Sequence, residues 1–189
     1  MAEVDDGAGR PPTGSGSGGS RLSRHPTDLL IRELIATKRA ATEAEIDAII
    51  ERMATAPFNQ QVVRVPTRIR GVSYQGQTLG TQADSLFLHL VRRVVEDQQW
   101  ALGTTEQEYL ADLRAAIRDP AARLLVYERQ GGPIAVILAP SNVPPSRRGP
   151  TALPLFVVVY SADHGSLISG YLASSQVAVN VPGDARWLR

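Results

Sequence analysis

Residues 153–175 read LPLFVVVYSADHGSLISGYLASS, and the fold follows from this stretch. Leu155 to Tyr160 is an unbroken β-branched and aromatic run. Asp163-His164-Gly165 makes a polar turn, and Leu167 to Leu172 returns to strand composition. Two apolar runs around a glycine-bearing turn predict an antiparallel hairpin. The same grammar occurs upstream, where ARLLVYER (122–129) and PIAVILAP (133–140) flank Gly131 and Gly132. Strands are therefore expected at about 122–129, 133–139, 155–161 and 166–172. Between the hairpins, SNVPPSRRGPTA (141–152) is too proline-rich for a central strand and reads as a long loop.

Before Pro120 the apolar period is helical. Leu86, Phe87, Leu90, Val91 and Val94 make one stripe within 81–97. TEQEYLADLRAAIRDP (105–120) is amphipathic, with Thr105 and Glu108 in capping-box spacing. Residues 81–175 thus predict an α+β domain, two helices followed by a four-stranded antiparallel sheet. A helical hairpin is expected over 25–58, where Leu30, Leu34, Ile46 and Ile50 recur at helical spacing and Thr42 and Glu45 form a second capping box. Residues 59–80 read as a basic β-hairpin or extended arm. Residues 1–24 are a Gly/Ser-rich linker or tail expected to be disordered. Residues 176–189 either add a last strand or lie on the surface.

Bulk composition excludes more than it identifies. A net charge of +1 gives no global case for nucleic acid or membrane, and no apolar run is long enough to span a bilayer. The chain has no cysteine, so thiolate chemistry, thiolate metal sites and disulfides are absent. HExxH, P-loop, GxGxxG and GxSxG patterns are missing, and the strands carry no carboxylate cluster. The expected chemistry therefore needs neither a metal nor a cofactor and uses His, Arg, Ser and Tyr.

Four groups of residues are candidates for it. On an ideal helix His89, Arg92, Arg93 and Glu96 share a polar face. A histidine beside two guanidinium groups holds a phosphate and moves protons, or the four form an ordinary solvated face. Strand alternation puts Ser169 and Tyr171 together on one face of the last strand. Arg147 and Arg148 form a dibasic clip in the proline-rich loop. Arg64, Arg68 and Arg70, in a stretch without acids, are either a nucleic-acid contact or a charged edge that resists strand pairing.

The element order, with VVVYSADHGSLISGYLAS as closing hairpin and FLHLVRRVVEDQQW and GTTEQEYLADLRAAI as preceding helices, resembles the barnase/RelE-type ribonuclease toxins over residues 81–175. Serine stands at 169, where threonine is common in this pattern. The resemblance implies endoribonuclease cleavage of tRNA or another translation-related RNA, by attack of the ribose 2′-oxygen on the adjacent phosphorus without metal. It implies His89 as acid/base, Arg92 or Arg93 with Arg148 as phosphate clamps, and Ser169 and Tyr171 as orienting or proton-sharing groups. RNA would be the substrate and an antitoxin or immunity protein the partner. The site of action would be cytoplasmic, reached from within or by delivery into a target cell. The rival is a non-enzymatic binding or dimerisation module on the same fold.

Overall fold

The computed structural model describes residues 22–130 and 132–189. Most of the tail of 1–24 expected to be disordered falls outside them, but in its described end Ser23 is held, its amide donating to Asp163 O and its hydroxyl to Asp28. Helix α1 (Pro26–Thr37) starts at His25, whose ring nitrogen accepts from the Thr27 amide, and α2 (Glu43–Thr55) starts on the Thr42–Glu45 capping box. Three-residue strands β1 (Val62–Arg64) and β4 (Gln82–Asp84) pair with each other. Between them lie a 3₁₀ turn at Thr67–Ile69 and a small hairpin, β2 (Ser73–Tyr74) and β3 (Gln77–Thr78). Helix α3 (Ser85–Val91) runs into a π-helical turn at Arg92–Glu96, and α4 (Glu106–Ile117) follows on the Thr105–Glu108 box.

The rest is sheet. Strands β5 (Arg123–Arg129), β6 (Gly132–Pro140), β7 (Leu155–Ser161) and β8 (Ser166–Ala173) form an antiparallel meander within two residues of the expected bounds. The expected four strands become five, because β9 (Arg186–Trp187) pairs with β5 and gives the order β8-β7-β6-β5-β9. The class is α+β as expected. The extra strand comes from the C-terminal segment, whose Pro182 and Gly183 turn the chain back along β5.

Alternation splits the sheet residues between two clusters. Val126, Ile137, Phe156, Val158 and Leu172 face the helices and join one core that also takes in Ile31, Leu34, Ile49 and Met53. The helical hairpin of 25–58 therefore shares the core of the sheet. Leu125, Val136, Leu138, Val157 and Val159 face the other way and form a second cluster, against which Val179, Val181 and Ala185 of the C-terminal segment pack. One sheet face is thus sealed by helices, and the other is crossed by a strap.

The arm of 59–80 does not align its arginines as an unbroken strand would. Pro66 and the 3₁₀ turn interrupt it, leaving Arg64 on β1, Arg68 in the turn and Arg70 after it.

Candidate functional site

The site is built around β8. Val159 pairs with Ser169 and Tyr160 pairs with Leu167, so Ile168 is an extra residue, a β-bulge. Leu167 faces the helices, whereas Ile168 belongs to the strap-side cluster. Ser169 opposes Val159 and Tyr171 opposes Val157, both partners being strap-side residues. Ser169 and Tyr171 therefore stand on the strap side, away from the helices.

β8 is an edge strand, and its outer edge is filled by other groups. The Leu167 amide donates to Pro57 O at 2.9 Å, and Asn59 N donates to Leu167 O at 2.7 Å. The Gln99 carboxamide meets both backbone groups of Leu172, at 2.8 and 2.9 Å, as a strand residue would. Gly170 O accepts from Arg93 Nε at 2.9 Å and from the Tyr109 hydroxyl at 2.7 Å.

Ser169 and Tyr171 line a cavity of about 470 Å³ on the strap side. Val136, Val157 and Val159 form its floor, Tyr127, Glu128 and Arg129 of β5 its far side, and Asn180 and Pro182 of the strap its cover. Burial pushes the Tyr171 phenol upward against the opposing effect of Arg93, and burial likewise raises Tyr127. Both are neutral hydrogen-bond donors at ordinary pH. The Arg93 guanidinium lies 5.2 Å from the Tyr171 ring centroid, a cation–π contact. Arg129 is exposed and makes no hydrogen bond or ion pair among the described residues.

Tyr127, Glu128, Arg129 and Asn180 were not among the sequence candidates. Alternation in ARLLVYER already places Tyr127 and Arg129 on one face, but the placement of β5 three strands away from β8 is not visible in that segment.

Most of the expected cationic site is used internally. Arg93, 9% exposed, is held by Gly170 O and an ion pair to Asp97. Arg92 and Arg68 share Glu96. Arg147 grips Asp112, with Nε 3.0 Å from Oδ2, while the same carboxylate accepts from Trp100 Nε1 at 3.1 Å. Arg148 Nε donates to Val143 O, and Arg70 Nε to Val65 O. Arg64 is exposed and has no partner among the described residues. Of the sequence candidates, only Ser169 and Tyr171 line the same cavity, with Arg93 behind the tyrosine ring.

His89 does not sit on a solvated polar face. Its ring packs edge-on against Phe58, centroids 5.4 Å apart, and Nδ1 is sealed from solvent with no hydrogen-bond partner among the described residues. A face assigned from ideal helical spacing ignores two things. The turn at Arg92 is π-helical, with Asp97 N bonded to Arg92 O, which rotates Arg93 inward, and Phe58 reaches the helix from a distant segment. His89 also does not line the strap-side cavity.

Burial, followed by the charges of Arg93 and Arg92, lowers the His89 pKa to about 4, from 6.5 in a free side chain. The unfolded chain thus takes up the proton first. The stability tied to the neutral ring is fully present above the unfolded value and is lost as pH falls through the folded one. Between those limits the slope reaches about 1.4 kcal/mol per pH unit. His89→Leu is expected to remove that slope in urea titrations. Parallel stability curves for the two proteins from about pH 6.5 to about pH 4 would rule this out.

No protein-family model matches the chain, and no curated protein or solved structure matches it at a significant level.

Proposed function

We propose that this chain is a metal-independent endoribonuclease toxin domain whose working surface is the strap side of the sheet. The observation that carries it is the convergence on one cavity of nucleotide size of Ser169, Tyr171 and Arg129, which has no partner among the described residues. Arg129 holds the phosphate, since phosphate recognition needs a cationic donor without an internal counterion. Glu128 stands on the opposite face of β5 from Tyr127 and Arg129, so the 2′-hydroxyl proton passes to water as the oxygen attacks phosphorus. The bond from phosphorus to the 5′-oxygen breaks, and the neutral Tyr171 phenol protonates the leaving oxygen. Ser169 orients the phosphate. This moves the acid role from His89 to Tyr171. A toxic nuclease must be silenced in its producer, so a protein inhibitor covering this face belongs to the proposal.

Among the described residues no cluster of three His, Asp or Glu side chains is placed to hold a metal ion, and no helix is long and apolar enough to cross a membrane. Induced expression is expected to arrest growth, and the purified protein to cut RNA equally well in EDTA. Tyr171→Phe removes a hydroxyl with no hydrogen-bond partner among the described residues, so the fold should persist while cleavage falls about 100-fold or more. Arg129→Ala should also relieve toxicity. Cleavage that needs added Mg²⁺, or fully toxic folded variants, would contradict the mechanism.

The second reading, a non-enzymatic binding module, is favoured by the internal pairing of Arg68, Arg92, Arg93 and Arg147 and by the burial of His89. It predicts neither growth arrest nor RNA cleavage.

A further inference from the structure

We propose that the groove between residues 57–61 and the β7–β8 turn is a second recognition site, for the hydrogen-bonding edge of a nucleobase; this rests on the RNA reading above. The groove encloses about 300 Å³ and is bordered by Phe58, Asn59, Gln60, Gln61, His164 and Ser166. Ser166 is 5% exposed, and its Oγ has no hydrogen-bond partner among the described residues. Buried hydroxyls are nearly always paired, so this one marks a place where a ligand atom completes the structure.

The other wall is a fixed backbone with free side-chain amides. Pro57 O and Asn59 N are tied to Leu167, Gln61 O accepts from Ser85 N at 3.1 Å, and Phe58 is buried. The Asn59 carboxamide oxygen accepts from Gln61 N at 3.1 Å, which leaves its NH₂ available. The Gln60 and Gln61 side chains make no hydrogen bonds among the described residues.

The chemistry of the groove selects the ligand. It offers several donors and acceptors, and no Asp, Glu, Lys or Arg borders it. A phosphate has no cation to meet here. A peptide strand would need a free ladder on β8, and the backbone groups of Leu167 are already taken by Pro57 and Asn59. What remains is a neutral, planar group that pairs with carboxamides, as base edges do with Asn and Gln. The position also fits. Ser166 pairs with Ser161, next to the helix-facing Tyr160, so alternation puts Ser166 on the face of Ser169 and Tyr171. Three residues along a strand span about 10 Å, a distance that neighbouring nucleotides of a single strand can bridge. The cavity at Ser169 would hold the phosphate while this groove reads a flanking base.

The test uses the full chain labelled with ¹⁵N and follows the side-chain amide signals of Asn59, Gln60 and Gln61. Adenosine, guanosine, cytidine and uridine are added one at a time, with N-acetylalanine methylamide as a peptide mimic. One nucleoside is expected to shift these signals saturably, about tenfold more tightly than the weakest of the four. The Gln60→Ala/Gln61→Ala variant, with its backbone spectrum otherwise unchanged, should lose that preference and cut RNA with relaxed base choice. The proposal is overturned if no nucleoside moves the signals, if all four do so equally, or if only the peptide mimic does. Nucleoside binding is read without any cleavage, so its presence in a protein that never cuts RNA sinks the nuclease reading alone. Cleavage with unchanged base preference in the double variant sinks the groove alone.

Discussion

Asp28→Ala is expected to destabilise the protein by about 3–5 kcal/mol, the cost of leaving a buried charge without its partner. Asp28 is 0% exposed and accepts from Ser23 Oγ at 2.6 Å, Arg52 Nη2 at 3.0 Å and the Tyr160 hydroxyl. These partners come from the segment before α1, from α2 and from β7, so one carboxylate joins the helical hairpin to the sheet. Burial and the bond to Asp28 both push the Tyr160 phenol upward, so it stays protonated and donates. Alanine would leave a buried hydroxyl without an acceptor and a largely buried guanidinium without a counterion. In a chain of this size the loss corresponds to a fall of roughly 10 °C in Tm. Asp28→Asn keeps an acceptor for Tyr160 and should cost less. Urea unfolding of the three proteins provides the measurement. A loss under about 1 kcal/mol for Asp28→Ala would mean that solvent reaches the cluster on demand.

The second large effect is expected at Gly170, for steric rather than electrostatic reasons. A Cβ built there would lie 2.0 Å from Leu113 Cδ2 and 3.1 Å from both Cδ1 and Cγ. The end of a leucine side chain can sometimes turn away, but Leu113 is fully buried in the main core and has nowhere to go. Gly170 cannot retreat either, because its carbonyl is held by Arg93 and Tyr109. Gly170→Ala should therefore cost about 2–3 kcal/mol, and Gly170→Val more. A double-mutant cycle identifies the cause. In a Leu113→Ala background the space is vacated, and Gly170→Ala should become nearly neutral. Additive losses would show that the damage lies in the backbone bonds and not in the collision.

The long elements were legible because their physics is local. Thr42 with Glu45 and Thr105 with Glu108 are capping boxes within four residues, and the continuous apolar runs within 123–129 and 155–160 are strands buried on both sheet faces, as their composition suggests. The common face of Ser169 and Tyr171 could be read the same way. What was not legible depends on partners far away in sequence. Nothing in SLISGYLA marks Ile168 as a bulge, since apolar and polar positions continue through it. Nothing around His89 announces that Phe58 will cover it. Arg147 and Arg68 look like free cations until Asp112 and Glu96 are placed beside them. The arginine pattern was visible, but these two distant counterions were not, and this moved the candidate site from the helix to the strap-side cavity.

Arg186, next to Trp187 in β9, donates to Leu34 O at 2.6 Å and to Arg39 O at 2.7 Å, so the last strand is fastened to the first helix and to the loop after it, across 152 and 147 residues. Asp28 likewise waits for Tyr160, 132 residues later. During synthesis α1 leaves the ribosome long before either partner exists. Translation supplies roughly 5–20 residues per second, so the N-terminal helices spend on the order of ten seconds without the sheet that buries Ile31 and Leu34. The strap-side cavity is completed last of all, when Asn180 and Pro182 arrive. A chain whose translation stalls before residue 180 would carry the helices and most of the sheet, yet lack the covered cavity.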